Sequence, residues 1–264
     1  NTTTYAVTVT DANTCSATTS ATVTVYQLPV AAISPATTVV CAGNSATLTS
    51  SGGSSYVWNG TETTAAITVT PANTTNYSVT VTDANTCTAS ATSSVTVNQL
   101  PVPAINPASV AICNGNSTTL TASGGVAYAW SNGPATAANT VSPTTSTTYV
   151  VTVTDANTCS ATIDAIVTVN QLPVPAINPA TTAICEGTSA TLTATGGTTY
   201  LWSNAATTDI ITVSPATTTT YAVTVTDANT CSATTNSTVT VVPYMQLTTV
   251  GSNISCNAAA DGAI

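Results

Sequence analysis

The chain has 264 residues with no Lys, Arg, His or Phe, nine acidic residues and a formal net charge of -9; only 3% of it is charged, while 43% is hydrophobic. Proteins are usually about a quarter charged, and without cations this chain cannot neutralise a nucleic-acid backbone or sit on an anionic membrane surface. No apolar run approaches the ~20 residues needed to cross a bilayer, so neither nucleic acid nor membrane insertion is expected.

The same gaps close off most catalysis. A serine nucleophile lacks its base because His and Lys are missing. The carboxylates stand mostly alone, so paired acid and base chemistry lacks its partners. No enzyme activity and no cofactor are expected, and Lys-dependent isopeptide cross-links are impossible. The balance of the composition is Thr, Ser and Asn, and Thr combines a β-branched carbon suited to strands with a hydroxyl suited to water.

The dominant pattern is a repeat of 72 residues without insertion or deletion. Tyr5, Tyr77, Tyr149 and Tyr221 obey it, as do Cys15, Cys87, Cys159 and Cys231, and Trp58, Trp130 and Trp202. Such arrays supply length and multiplicity, because each unit buries its own small core and presents the same surface again. The predicted domains are a C-terminal part of a repeat at 1–26, full repeats at 27–98, 99–170 and 171–242, and the start of a divergent repeat at 243–264. Both ends are expected to be cut inside a unit, which favours a longer parent chain.

In chain order, each repeat opens with QLPV, and Pro29 with Pro35 brackets a first strand that cannot donate fully to a central ladder, which predicts an edge strand. Ser45 to Ser50 alternates Ala46 and Leu48 inward, and Gly52-Gly53 forces a turn. Tyr56 and Trp58 share one face of a short strand, and Ile67 and Val69 share a face before Pro71 ends the run. Tyr77, Val79 and Val81 then point one way and Ser78, Thr80 and Thr82 the other, the period of a half-buried strand. After the turn TDANTC, a last strand carries Val95 and Val97 inward. Six or seven short antiparallel strands around one buried Trp predict a small β-sandwich, and no segment has helical spacing. The fold class is all-β, a linear array of tandem sandwiches.

At these residues the chain resembles a known group. The ordered set of YxVTVTDANTCSAT, VTVNQLPVPAINPA, CxGxSxTLTAxGG, YxWSN and TVSPxTTTTYxVTV is similar to the immunoglobulin-like tandem repeats of large secreted surface proteins and adhesins from gliding bacteria. The likeness covers Asn1 to Val242. The tail with Cys256 breaks the 72-residue rule by one position and looks like the start of a related gliding-motility adhesin repeat. The resemblance implies an extracellular, non-catalytic immunoglobulin-like array and names no ligand.

Eight cysteines, at 15, 41, 87, 113, 159, 185, 231 and 256, are spread evenly with no CxxC, which argues for disulfides in an oxidising compartment and against zinc. The expected pairs lie within units: Cys41 with Cys87, Cys113 with Cys159 and Cys185 with Cys231, leaving Cys15 and Cys256 unpaired in this stretch. A geometric objection stands against them, since the two cysteines of a unit fall at opposite poles of ordinary immunoglobulin strand order. The rival joins consecutive units, Cys41 to Cys159 and Cys113 to Cys231.

The recurring Asp11, Asp83, Asp155 and Asp227 could read as calcium ligands, but one carboxylate per unit is too few, and a turn-shaping role is expected. Trp58, Trp130, Trp202, Tyr77, Tyr149 and Tyr221 are expected in the core rather than on a sugar-stacking platform. Asn59, Asn73, Asn116 and Asn236 begin N-linked acceptor triplets. The function expected is that of a structural and adhesive extracellular protein, the subunit of a cell-surface or secreted filament that grows end to end. Other copies of itself are the expected partner, with surface glycans as a second candidate. The alternative is a spacer or carbohydrate-binding array that displays a separate binding or enzymatic domain.

Overall fold

The computed structural model describes residues 1–245 and 249–251, and among them every regular element is a β-strand. Two compact units divide the described residues: one comprises Asn1–Ala108, Leu120–Asn139 and Tyr149–Ala165, the other Ser109–Thr119, Thr140–Thr148 and the described residues from Ile166 on.

The first unit begins with β1 (Thr3–Thr10) and β2 (Ser16–Val23), an antiparallel hairpin in register from Thr3↔Val23 to Thr10↔Ser16. The repeat 27–98 follows with β3 (Ala32–Ser34), β4 (Thr37–Cys41), β5 (Ala46–Ser51), β6 (Ser55–Trp58), β7 (Ala66–Val69), β8 (Thr75–Thr82) and β9 (Thr88–Asn98). These seven strands form two sheets, β3-β5-β7 and β4-β9-β8-β6. The second repeat supplies β10 (Ala104–Asn106), β11 (Ser109–Cys113), β12 (Thr118–Ser123), β13 (Ala127–Trp130), β14 (Ala138–Val141), β15 (Thr147–Thr154) and β16 (Ser160–Asn170). Its sheets have the same orders, β10-β12-β14 and β11-β16-β15-β13. In the second unit, the third repeat forms β17 (Ala176–Asn178), β18 (Thr181–Cys185), β19 (Ala190–Thr195), β20 (Thr199–Trp202), β21 (Ile210–Val213), β22 (Thr219–Thr226) and β23 (Ser232–Val242), again as β17-β19-β21 and β18-β23-β22-β20. A three-stranded and a four-stranded sheet in each repeat make tandem immunoglobulin-like sandwiches.

Alternation dictates which side chains enter each core. In β5 every second residue is buried, Ala46, Leu48 and Ser50, while Thr47, Thr49 and Ser51 face water. Ile33, Leu48, Trp58, Val79, Val81 and Val95 close one cluster. Ile177, Leu192, Trp202, Ile211, Val223, Val225 and Val239 close another, and the second repeat buries Ile105, Leu120, Trp130, Val151, Val153 and Val167. Each fully buried aliphatic side chain contributes roughly 1.5–3 kcal/mol. On the wet face, Thr hydroxyls pair across strands, as between Thr224 and Thr234 at 3.2 Å. Gly52 and Gly53 cannot be replaced: Gly52 has φ +103, and a Cβ on either would strike backbone, that of Val30 or Thr82.

One pair of strands in each repeat, β4 with β9 in the first, β11 with β16 in the second and β18 with β23 in the third, departs from the expected antiparallel pattern. Proline divides the first strand of the repeat in two: β3 lies at the edge of the three-stranded sheet, and after Pro35 the chain crosses to the other sheet as β4. Having kept its direction, β4 runs parallel to β9, with Thr37↔Ser94 through Cys41↔Asn98 in register. The Ser93 hydroxyl donates to the Pro35 carbonyl at 2.8 Å, which ties the crossover to β9. The third repeat repeats the device with Ser237 and Pro179 at 2.9 Å.

Candidate functional site

Two structures built from the sequence bring the cysteines to the ends of the sandwiches. The first is the end of the parallel strand. Beyond Cys41 the chain turns sharply, Ala42 N–H donating to the Asn98 carbonyl at 2.8 Å and Asn44 N–H to the Cys41 carbonyl at 2.9 Å. Because β4 and β9 end together, Cys41 lies where one repeat stops and the next starts. Cys113 beside Asn170 and Cys185 beside Val242 occupy the same place.

The second is the TDANTC turn. In each of its four copies one aspartate oxygen accepts two backbone N–H groups. Asp155 Oδ1 takes those of Asn157 at 2.8 Å and Cys159 at 2.9 Å. Asp11, Asp83 and Asp227 do the same. Thr158 adopts φ 64, and its counterparts Thr14, Thr86 and Thr230 adopt 69, 68 and 66. The carboxylate therefore holds a left-handed residue in place and points the following cysteine off the end of the hairpin.

These two elements meet between repeats. Cys41 bonds Cys159 with Cα atoms 5.6 Å apart, and Cys113 bonds Cys231 at 5.5 Å. The expected pairs Cys41–Cys87 and Cys113–Cys159 do not form, nor does Cys185–Cys231. The reason is the parallel strand: Cys41 is level with the end of β9, whereas Cys87 precedes its beginning. The 11 residues of β9 put them about 35 Å apart, against the ~7 Å that a disulfide allows. Cys185 and Cys15 are exposed free thiols, and Cys87 is a half-buried one. Cys256 lies outside the described residues.

The aromatic residues sit elsewhere. Trp58, Trp130 and Trp202 are buried, and each indole N–H donates at 2.9 Å to a carbonyl six residues on, at Thr64, Thr136 and Thr208. Tyr149 is buried, and Tyr77 and Tyr221 are half-buried. A surface groove opens beside Trp58, where Glu62 stands in place of Pro134 and Ala206 of the other repeats. Trp58 itself is 1% exposed and offers no face for a sugar to stack on. Asn59, Asn73, Asn116 and Asn236 are all exposed. Among the described residues no three His, Cys, Asp or Glu side chains cluster as metal ligands would.

The β1–β2 hairpin corresponds to the last two strands of a repeat, as the sequence predicts for residues 1–26. Tyr5, Val7, Val9 and Val23 match Tyr77, Val79, Val81 and Val95 of the repeat, yet they are 63, 55, 66 and 53% exposed. Their pattern is that of a half-buried strand, and among the described residues they form a two-stranded sheet.

No protein-family model matches the chain, and no curated protein matches it. Solved structures do match in fold. The chain is similar to the N-terminal four Ig domains of Dscam1 isoform 1.9, at 14% identity over 86% of this chain and 77% of that one, with a TM-score of 0.25. It is similar to a Ca2+-stabilized adhesin that helps an Antarctic bacterium reach out and bind ice, at 19% identity over 91% and 82%, with a TM-score of 0.36. It is also similar to the three N-terminal domains of the bacteriophage RB49 Highly Immunogenic Outer Capsid protein, at 15% identity over 81% and 99%, with a TM-score of 0.34. At these identities and scores the likeness carries no argument about ligand or activity.

Proposed function

We propose that this chain is a structural and adhesive extracellular repeat protein, the subunit of a cell-surface or secreted filament that assembles end to end, and that it performs no catalysis. The observation that carries the reading is the pair of disulfides that join consecutive repeats into one array, Cys41–Cys159 and Cys113–Cys231. Growth end to end would use the β1–β2 ribbon, whose edges are open and whose Tyr5, Val7 and Val9 face is exposed in the described chain, since open edges accept strands from another chain. The expected partner is another copy of the protein. Disulfides between repeats fit an oxidising, extracellular setting, and a Thr-rich wet face without cations fits a long surface exposed to proteases.

Electron microscopy and sedimentation of the purified chain test the reading. Filaments or a concentration-dependent series of oligomers are expected, and the double variant Val7→Asp, Val9→Asp, which leaves the three repeats untouched, should abolish them. A monodisperse monomer at all concentrations overturns self-assembly through this face.

A further inference from the structure

The two disulfides interleave along the sequence, and this gives the chain a property that neither bond has alone. In chain order the bonded residues run Cys41, Cys113, Cys159, Cys231, and the first bonds the third while the second bonds the fourth, each across 118 residues. Two covalent routes therefore connect Cys41 to Cys231. One crosses the first disulfide and continues along the backbone from Cys159; the other follows the backbone to Cys113 and crosses the second disulfide. Each contains 72 residues of backbone. A break between Cys41 and Cys113 removes only the second route, a break between Cys159 and Cys231 removes only the first, and a break between Cys113 and Cys159 removes neither.

We propose that these cysteines make the array a doubled covalent load path: no single backbone cleavage from Cys41 to Cys231 can sever it, and tension on its ends is shared by two strands of chain. Successive pairs within repeats would lack the property. With Cys41–Cys87 and Cys113–Cys159 bonds, one cut between Cys87 and Cys113, in the exposed QLPV joint, would part the chain. The interleaved form protects the segments that a protease reaches most easily, including Gln99 to Val102 and the loop at Ala135. It also limits stretch. With every sandwich unfolded, the reach from Cys41 to Cys231 is about 260 Å at ~3.6 Å per residue, and reducing both bonds lengthens it to about 680 Å. The rule extends in both directions. Cys185 occupies the strand-end position and Cys87 the turn position, so a further repeat on either side would continue the ladder.

The absence of Lys and Arg makes the test unusually clean, since any introduced Arg is the one trypsin site in the molecule. The variants Gln99→Arg and Ala135→Arg place it between Cys41 and Cys159, and Gln27→Arg places it before Cys41 as a control. The free thiols are alkylated to block exchange, the protein is unfolded in urea without reductant, and trypsin is added, so access to the site does not depend on the fold. For Gln99→Arg and Ala135→Arg a single full-mass band is expected on a denaturing gel, splitting into two fragments only after reduction. Gln27→Arg should release its 27-residue fragment without reductant. Separation of the Gln99→Arg fragments before reduction overturns the proposal. In a force experiment on the unmodified chain, a gain of roughly 420 Å on adding reductant supports it, and no gain overturns it.

Discussion

The β1–β2 hairpin and the β8–β9 pair are nearly the same sequence in two settings. Both carry Tyr-x-Val-x-Val, the TDANTC turn and the same aspartate bonds to two backbone N–H groups. In the repeat β8 and β9 lie in the middle of a four-stranded sheet facing β5 and β7, and Val79, Val81 and Val95 are 0% exposed. In the hairpin the corresponding residues are more than half exposed. The comparison separates what local chemistry does from what packing does: the turn and ladder are specified within 26 residues, whereas burial of β8 and β9 comes from β5 and β7, which precede them in the repeat. Stability differs accordingly, since a hairpin without a covered face has little beyond its ladder.

The largest expected effect is in hydrogen exchange. Amides of β8 and β9 should exchange only through opening of the whole sandwich, at a cost of several kcal/mol, while those of β1 and β2 exchange through local fraying. Mass-resolved exchange on the dilute chain should show protection differing by at least ~10^3-fold. Equal protection would mean that something covers the hairpin, and protection that rises with protein concentration would identify the cover as another copy.

Truncating the apolar face should follow the same division. Val81→Ala removes two methyl groups from a site with no exposure and should destabilise its sandwich by about 2 kcal/mol. Val9→Ala, at 66% exposure, should stay within about 0.5 kcal/mol. Exchange of the β8 amides reads the first and that of the β1 amides the second. If Val9→Ala proved as costly as Val81→Ala, the exposed face would not be bare in solution.

The turn should behave alike in both settings. Asp83→Ala leaves the N–H groups of Asn85 and Cys87 without their carboxylate, and the loss of two charge-assisted bonds near the surface should cost about 2 kcal/mol. Asp11→Ala should remove the little protection that the hairpin has. Replacement by Asn, which keeps an acceptor oxygen, should recover most of the loss in each.

The strands, their inward faces and the Trp at each centre were legible because a period of two survives any tertiary context that has one wet face. The edge position of the first strand was legible from its prolines. The cysteine pairing was not, because separation in sequence says nothing about direction. Only the parallel register of β4 against β9 places Cys41 at the far end of the sandwich from Cys87. The objection from the poles of the sandwich contained the answer, but without the register it could not be weighed against the proximity in sequence of two cysteines in one unit. Differences between repeats were also hidden, since one position can be filled in several ways: Asn139 is buried and pairs with Asn132, Nδ2 to Oδ1 at 2.9 Å, where the first repeat has Ile67.

A modest effect of the opposite sign comes from another such difference. Ser50 continues the inward face of β5 and is 4% exposed; its counterparts in the second and third repeats are Ala122 and Ala194. Its backbone N–H reaches the Ala65 carbonyl at 2.7 Å, but its hydroxyl is buried with no hydrogen-bond partner. A hydroxyl left so costs on the order of 1 kcal/mol relative to its removal, since folding strips its water and supplies nothing in exchange. Ser50→Ala should therefore stabilise the first sandwich by about 1 kcal/mol and raise its melting temperature by several degrees, a domain of this size moving about 4–8 °C per kcal/mol. The reciprocal Ala194→Ser should lower the third by a similar amount. Were Ser50→Ala neutral or destabilising, the hydroxyl would have a partner in solution, and the three cores would be more alike than their sequences suggest.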